Sequence, residues 1–216
     1  MPEEKTKDGL GPISRREFAV GSVAILGASS ASGQNAKTIV PVAAKAGAQT
    51  AVPPKLTTRP VSPAGKTIKI TVNTWKYEVP VEPEWPLRDV LREQLGLLSI
   101  KDMCNGYGAC GSCTVLVNGR PVLSCMTLAI ECDGVKIETA EGVAAANPQL
   151  IEAYVLNHCM QCGYCTPGFV VTAKALLDHK PHPNEQDIRD ALGGNICRCG
   201  TYPQHILAVL EASATA

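Results

Sequence analysis

Eight cysteines fall into two sets whose spacing suits metal binding. The first set surrounds a glycine-rich stretch and consists of Cys104, Cys110, Cys113 and Cys125. The second set consists of Cys162, Cys165, Cys197 and Cys199. Each set supplies four thiolates, the number that one [2Fe–2S] cluster requires. A chain with two such clusters and no obvious substrate pocket carries electrons one at a time, and this is our working hypothesis.

Disulfides and zinc are the two alternative uses of these cysteines. Ten cysteines in 216 residues also fit a secreted disulfide scaffold, and four-cysteine sites also bind zinc. However, the Cys-x-Cys and Cys-x-x-Cys pairs place thiols on adjacent turns, where disulfides between neighbours would be strained. Zinc sites seldom combine a Cys-x-x-Cys pair with a distant Cys-x-Cys pair. The spacing therefore favours iron–sulfur clusters.

Several residues beside the cysteines could tune a cluster. Gly106, Gly108 and Gly111 allow turns barred to other residues and expose N–H groups, which can bond cluster sulfurs and so affect the reduction potential. Arg198 either raises the potential or pairs with a surface carboxylate. Gln161 is either a surface amide or a hydrogen-bond donor to a neighbouring cofactor.

Two further cysteines, Cys132 and Cys159, exceed the eight expected ligands. Cys159 forms a run with Cys162 and Cys165 at the spacing of some [4Fe–4S] sites. Because the second set already has four members, we expect both surplus cysteines to be structural. We expect His158 to be an ordinary helix-end histidine.

Composition excludes several classes of partner. Twenty basic residues balance twenty acidic ones, so nothing favours nucleic acid or an anionic membrane surface. Aromatic residues make up 4%, which suits two small cores better than one large core. No apolar run approaches the roughly 20 residues of a membrane-spanning helix.

The N-terminal third is predicted to lie outside the folded domains. Residues 1–33 combine the Arg15-Arg16 pair, Phe18, a short apolar run and small residues, which is typical of a twin-arginine export signal. Such a signal exports folded proteins. A cluster that is inserted in the cytoplasm would be lost if the chain were exported unfolded, so this route suits a cluster protein. The predicted location is the periplasm. Whether the signal is cleaved or stays as an anchor is open. Residues 34–66, rich in Ala and Pro, predict a linker or an extended arm.

Residues 67–140 are predicted to form a small β-grasp domain. Alternating apolar residues predict a hairpin of two strands around Asn73-Thr74. Pro86 begins a helix that ends at Gly96, with an apolar face made of Leu87, Val90, Leu91 and Leu95. Strands at 114–117 and 121–123 flank a type I′ turn at Asn118-Gly119, and 135–137 is a last short strand.

Residues 141–216 are predicted to form a four-helix bundle, which makes the fold class α+β. The helices cover 147–157, a segment opened by Thr166-Pro167, a segment capped by Asn184, and a last segment that begins at Thr201. Thr201–Gln204 has the form of a capping box, and Ile206, Leu207 and Leu210 are expected to face the core. The second cysteine set precedes two of these helices, whose positive N-termini would stabilise an anionic cluster.

Three segments resemble the iron–sulfur subunit of molybdenum hydroxylases, the xanthine oxidase and aldehyde oxidoreductase family. They are Gly108–Arg120, Gln161–Gly168 and Asn195–Tyr202. The resemblance covers Thr67 to about Leu210 and, with the export signal, is closest to small subunits of periplasmic aldehyde oxidoreductases. One departure is the spacing of five residues between Cys104 and Cys110, where the family usually has four. Adrenodoxin-like ferredoxins have the longer spacing.

The resemblance implies two [2Fe–2S] clusters and a large partner subunit with a molybdenum–pterin cofactor. The second cysteine set would then lie nearest the pterin, with Gln161 and Cys199 approaching it. The first set would pass electrons outward to FAD or haem on a flavin or cytochrome c subunit. Aldehydes are the leading substrate class, followed by N-heterocycles such as nicotinate, isoquinoline or purines. The remaining alternatives are a free-standing two-cluster ferredoxin and a secreted binding module stabilised by zinc or disulfides.

Overall fold

The computed structural model describes residues 60–214. The expected export signal, and the expected linker up to residue 59, lie outside the described residues. The described residues belong to one compact unit. Within this part of the chain, no helix is long and apolar enough to cross a bilayer.

Five strands of the described chain form one mixed sheet in the order β2-β1-β5-β3-β4. The strands are β1 (Lys66–Val72), β2 (Trp75–Val81), β3 (Thr114–Val117), β4 (Arg120–Leu123) and β5 (Lys136–Glu138). The β1–β2 and β3–β4 hairpins are antiparallel, and β5 joins them by pairing parallel to β1 and antiparallel to β3. The predicted hairpins are confirmed, and the last strand starts one residue later than expected.

The turn between β3 and β4 shows why the sequence pattern was reliable. Asn118 and Gly119 have φ angles of 49° and 79°. A type I′ turn requires positive φ at both central residues, which asparagine and glycine tolerate best. The turn therefore follows from two residue types alone.

The helix predicted from Pro86 is present but irregular. A short α1 (Leu87–Asp89) continues as a π-helical turn over Val90–Gln94. The amide of Leu95 donates to the carbonyl of Val90 at 3.2 Å, the five-residue spacing of a π-turn. All four predicted apolar residues are nevertheless fully buried against the sheet.

Among residues 139–214, five helices, rather than the four expected, follow the sheet. They are α2 (Ala140–Ala146), α3 (Pro148–Leu156), α4 (Thr166–His179), α5 (Glu185–Leu192) and α6 (Tyr202–Ala214). Our prediction missed α2, an alanine-rich segment between Thr139 and Asn147. The predicted cap of α5 is confirmed, because the Asn184 side chain accepts a hydrogen bond from the amide of Asp187 at 2.9 Å.

Two hydrophobic cores meet at β3. Val115 lies in the core between the sheet and the Leu87–Gln94 helical segment, whereas Leu116 lies in the core of the helices. Adjacent strand residues point to opposite faces, so one strand contributes to both cores. This packing places the loop before β3 beside the N-terminus of α4.

Candidate metal centres

The first cysteine set gathers in the loop before β3 and just after β4. The Cys104 and Cys110 thiols lie within hydrogen-bonding reach of each other, as do those of Cys113 and Cys125. Electrostatic repulsion also acts between Cys104 and Cys125, so the two pairs lie close to each other. The structure therefore brings together all four cysteines of the first set.

Backbone amides point at these thiols. Burial raises the pKa of Cys104, but hydrogen bonds from the amides of Ala109, Tyr107 and Cys110 and from the Cys110 side chain together lower it to about 7. Burial and the neighbouring Cys113 raise the pKa of Cys125 to about 12, against one hydrogen bond from the amide of Gly108. Amide donors directed at sulfur suit an anionic metal cluster.

The second cysteine set gathers between α3 and α6. The Cys199 and Cys162 sulfurs are 3.5 Å apart, and Cys165 and Cys197 are within hydrogen-bonding reach of each other. Electrostatic repulsion acts between Cys162 and both Cys165 and Cys197, so the two pairs lie close to each other. The four cysteines of the second set are thus also together, with Cys162 exposed and Cys165 and Cys197 buried.

Hydrogen bonds also shape the thiols of the second set. An amide hydrogen bond from Tyr164 and the contact with Cys199 lower the pKa of Cys162. Burial raises the pKa of Cys197, but hydrogen bonds from the side chain and amide of Thr201, with smaller ones from Cys165 and Gly200, lower it to about 7. Burial, followed by the contact with Cys197, raises the pKa of Cys165 to about 12.

Gly111 is a point of close backbone contact between the two sites. Gly106, Gly108 and Gly111 all have positive φ, as we predicted from their role in the loop. A Cβ atom at Gly111 would also lie 2.6 Å from both the Asn195 amide nitrogen and the Gly194 carbonyl. Only glycine allows this approach.

Direct hydrogen bonds join the two cysteine loops. The amide of Ile196, next to Cys197, donates to the carbonyl of Cys110 at 2.9 Å. The Asn195 side chain donates to the Gly111 carbonyl at 3.0 Å, and the Tyr164 hydroxyl donates to the Asp102 carbonyl at 3.1 Å. The two sites are therefore connected through short polar contacts.

The surplus cysteines bond to backbone carbonyls. The Cys159 thiol donates to the carbonyl of Gln204 at 3.2 Å, and the Cys132 thiol lies 3.6 Å from the carbonyl of Leu128. Both residues are buried. This agrees with the structural role that we expected for them. Gln161, Arg198 and His158 are exposed.

The prediction for α6 was partly wrong. Leu207, expected in the core, is 54% exposed, whereas His205 is completely buried. The expected capping box is absent, because Gln204 Oε1 has no hydrogen-bond partner among the described residues. The Thr201 hydroxyl oxygen lies 3.2 Å from Cys197 Sγ and 3.2 Å from His205 Nε2. His205 was missed by sequence reasoning. The available signal was its spacing, four residues after Thr201 and eight after Cys197.

The donor sets fit [2Fe–2S] clusters. Each site offers four thiols, hydrogen-bond donors to sulfur, and a loop or helix end with exposed amides. All ten cysteines are free thiols. The fold and the two sites thus define the class of the protein, a two-centre iron–sulfur protein.

Comparison with known proteins agrees with this class. Residues 70–144 match a family described as "2Fe-2S iron-sulfur cluster binding domain", and residues 139–210 match "[2Fe-2S] binding domain". The chain is 46% identical to the nicotinate dehydrogenase small FeS subunit of Eubacterium barkeri over 138 residues, which cover 63% of this chain and 87% of the relative.

Solved structures give the same result. Quinoline 2-oxidoreductase from Pseudomonas putida 86 matches with a TM-score of 0.67 and 38% identity, covering 71% of this chain and 96% of that chain. The aldehyde oxidoreductase from Desulfovibrio gigas matches with a TM-score of 0.65 and 41% identity, covering 69% of this chain and 17% of that chain.

The chain belongs to the iron–sulfur small subunits of the molybdenum hydroxylase family. It is an electron-transfer subunit of a multi-subunit molybdenum-dependent oxidoreductase, and its own cofactors are [2Fe–2S] clusters. This membership excludes the zinc and disulfide alternatives.

Proposed function

We propose that this chain relays single electrons from a molybdenum–pterin site on a large partner subunit to a flavin or cytochrome acceptor. The second cysteine set faces the molybdenum subunit, and the first set faces the acceptor. The observation that carries this proposal is the hydrogen bond from the amide of Ile196 to the carbonyl of Cys110. This bond directly joins Ile196, the sequence neighbour of Cys197 in the second set, to Cys110 in the first set.

The eight ligands are assigned to two centres. Cys104, Cys110, Cys113 and Cys125 hold the first cluster, and Cys162, Cys165, Cys197 and Cys199 hold the second. When bound, each cluster supplies a one-electron carrier. The chain itself supplies the thiolates and the amide hydrogen bonds to sulfur. It also supplies the close contact at Gly111, which holds the two loops together.

Exposed apolar side chains support a partner at the second site. Met160 and Tyr164 flank the exposed Cys162 in the sequence, and Ile196 and Tyr202 flank the buried Cys197; all four are more than 40% exposed. Apolar side chains around a functional site are typical of a surface that a partner covers. Gln161 lies in the same stretch, which suits a hydrogen bond to the pterin.

A different exposed surface supports the outlet at the first site. Tyr107, within the first cysteine loop, is 81% exposed, and Met126, beside Cys125, is 65% exposed. We propose that the flavin or cytochrome c subunit binds here. The acceptor then approaches Cys104 and Cys125, which are only partly buried.

The domain organisation is part of the same proposal. Residues 67–140 form a β-grasp, ferredoxin-like domain, and residues 141–216 form a helical-bundle domain. The mixed sheet order and the two separate cores support this division. Because β3 contributes residues to both cores, the two proposed domains are held together, which suits a single electron relay.

Substrate class is proposed from the relatives. Their names include nicotinate dehydrogenase, xanthine dehydrogenase and aldehyde oxidoreductase. We propose that the partner oxidises an aldehyde, with N-heterocycles as the second candidate class because a nicotinate dehydrogenase subunit is 46% identical. Dye-linked assays of the purified complex with benzaldehyde, nicotinate and xanthine distinguish the two classes.

Residues 1–33 are proposed to direct export of the folded complex to the periplasm. The Arg15-Arg16 pair and the apolar run after Phe18 support this proposal. Replacing both arginines with lysine should leave the protein in the cytoplasmic fraction. Equal periplasmic amounts of the variant and the unaltered protein would contradict the proposal.

Matched cysteine variants test the relay. We expect the unaltered complex to contain about four irons per small subunit and two distinct [2Fe–2S] EPR signals after dithionite reduction. Cys197→Ser should remove one signal, and Cys104→Ser should remove the other. Cys197→Ser should also stop dye-linked turnover although substrate still reduces molybdenum. Retained dye-linked turnover would contradict the proposed order, and a lower iron content would contradict the ligand assignment.

A further inference from the structure

Three polar groups form a buried chain behind the second site. Cys197 Sγ lies 3.2 Å from Thr201 Oγ1, which lies 3.2 Å from His205 Nε2. Cys197, Thr201 and His205 are 6%, 4% and 0% exposed, so water does not compete for these contacts. The chain begins at a proposed cluster ligand and ends at a histidine inside the helical core.

Two aromatic rings hold the histidine in place. The His205 ring stacks on Phe169 with a centroid distance of 3.9 Å and an interplanar angle of 1°. Tyr154 lies against it at 5.4 Å and 53°. This packing fixes the plane of the imidazole, in which Nε2 is directed at the Thr201 hydroxyl.

The unpartnered nitrogen of His205 decides the direction of the hydrogen bonds. Nδ1 is buried and has no hydrogen-bond partner among the described residues. A buried N–H without an acceptor is rarer and costlier than an acceptor without a donor. The proton of the neutral ring therefore lies on Nε2, which donates to Thr201 Oγ1. The Thr201 hydroxyl proton is then directed at the Cys197 sulfur.

We propose that His205 is a positioning residue that orients the Thr201 hydroxyl toward the Cys197 sulfur and thereby raises the reduction potential of the second site. This inference rests on the proposed function, in which Cys197 holds a cluster. Reduction adds negative charge, part of which resides on the ligating sulfurs, and a hydrogen bond to sulfur stabilises that charge. His205 acts only through Thr201.

Thr201→Val removes the hydroxyl while keeping the shape of the side chain. We expect it to lower the equilibrium constant for reduction of the second cluster about tenfold, which corresponds to a potential about 59 mV lower for one electron. Thr201→Ser keeps the hydroxyl, and we expect it to retain the original potential. The potential of the first cluster is the internal control, and it should not change in either variant.

A double-mutant cycle separates orientation from packing. His205→Leu keeps an apolar filling beside Phe169 but removes the Nε2 donor, and we expect the potential to fall by part of the Thr201→Val shift. Adding His205→Leu to Thr201→Val should produce no further shift, because the residue that it orients has lost its hydroxyl. A role of His205 in packing alone would change the melting temperature and leave the potential unchanged.

The measurement is an EPR-monitored redox titration of the purified complex. Exchangeable-proton couplings of the second cluster, compared in H2O and D2O, give an independent readout that should lose one coupling in Thr201→Val. An unchanged second potential in Thr201→Val would overturn the inference, as would a shift of equal size in Thr201→Ser. A His205→Leu shift that persists in the Thr201→Val background would also overturn it. Absence of the second signal in the unaltered complex would instead refute the proposed function.

Discussion

The contact between Gly168 and the first cysteine loop gives the sharpest test of how the two sites are held together. Gly168 is buried in the first turn of α4. A Cβ atom there would lie 2.3 Å from the Gly111 carbonyl oxygen and 3.1 Å from Ser112 Cα. Both neighbours are backbone atoms, so they cannot rotate away. Gly168→Ala must therefore separate α4 from the loop.

The size of the effect follows from overpacking. Inserting a methyl group into a tightly packed contact typically costs about 1–3 kcal/mol. For a protein of this size, each kcal/mol lowers the melting temperature by about 2–4 °C, so we expect a decrease of about 2–12 °C. The separation also weakens the Asn195–Gly111 hydrogen bond, and we expect slower dye-linked turnover by the complex.

Gly194→Ala is the matched control. A Cβ atom at Gly194 would have no neighbour within 4 Å, and its φ is not in the left-handed region. We expect its melting temperature and turnover to match the unaltered complex, because surface substitutions usually change stability by less than about 0.5 kcal/mol. Thermal unfolding of the three purified complexes, followed by circular dichroism and visible absorbance, makes the comparison. Equal melting temperatures for Gly168→Ala and Gly194→Ala would refute the steric argument.

Three further predictions concern buried and surface contacts. Asn195→Leu should destabilise the complex by about 1–3 kcal/mol in urea unfolding, because it removes two buried hydrogen bonds, the one that Asn195 donates to the Gly111 carbonyl and the one that it accepts from the Thr172 hydroxyl; an unchanged urea midpoint would contradict this. Cys159→Ser should leave both EPR signals intact, whereas Cys165→Ser should remove one, since only Cys165 belongs to the second set; loss of a signal in Cys159→Ser would show a misassigned ligand. Asp187→Asn should destabilise α5 near neutral pH. Hydrogen bonds from the Lys180 side chain and from the amide of Asn184 lower the pKa of Asp187 below its usual value of 3.8. That contribution is present above the usual pKa and is lost as the pH falls below it, so urea midpoints of variant and unaltered protein should converge below about pH 4.

Local features of the sequence predicted local structure well. The cap of α5 and the Asn118-Gly119 turn each depend on residues within three positions, and the structure has both where they were expected. The structure also brings the members of each cysteine set together, and their assignment as cluster ligands stays a prediction. In these cases, the residue types and their spacing are enough to determine the local structure.

The sequence-based predictions were wrong where contacts between residues distant in sequence determine burial or helix geometry. Leu207 was expected in the core but is exposed, and the burial of His205 was missed, because helix periodicity alone does not say which side of α6 meets Phe169 and the second site. The π-helical turn after α1 was missed, since its apolar face is the same in sequence as that of a regular helix.

The sequence by itself determined the chemistry of this protein, because eight thiols at these spacings suit two iron–sulfur clusters. Only the tertiary structure decided how the two centres meet. The Asn195–Gly111 hydrogen bond joins residues 84 positions apart, and no local pattern encodes such a pair. It depends on β3 contributing to both cores, which brings a loop from one core against a helix from the other.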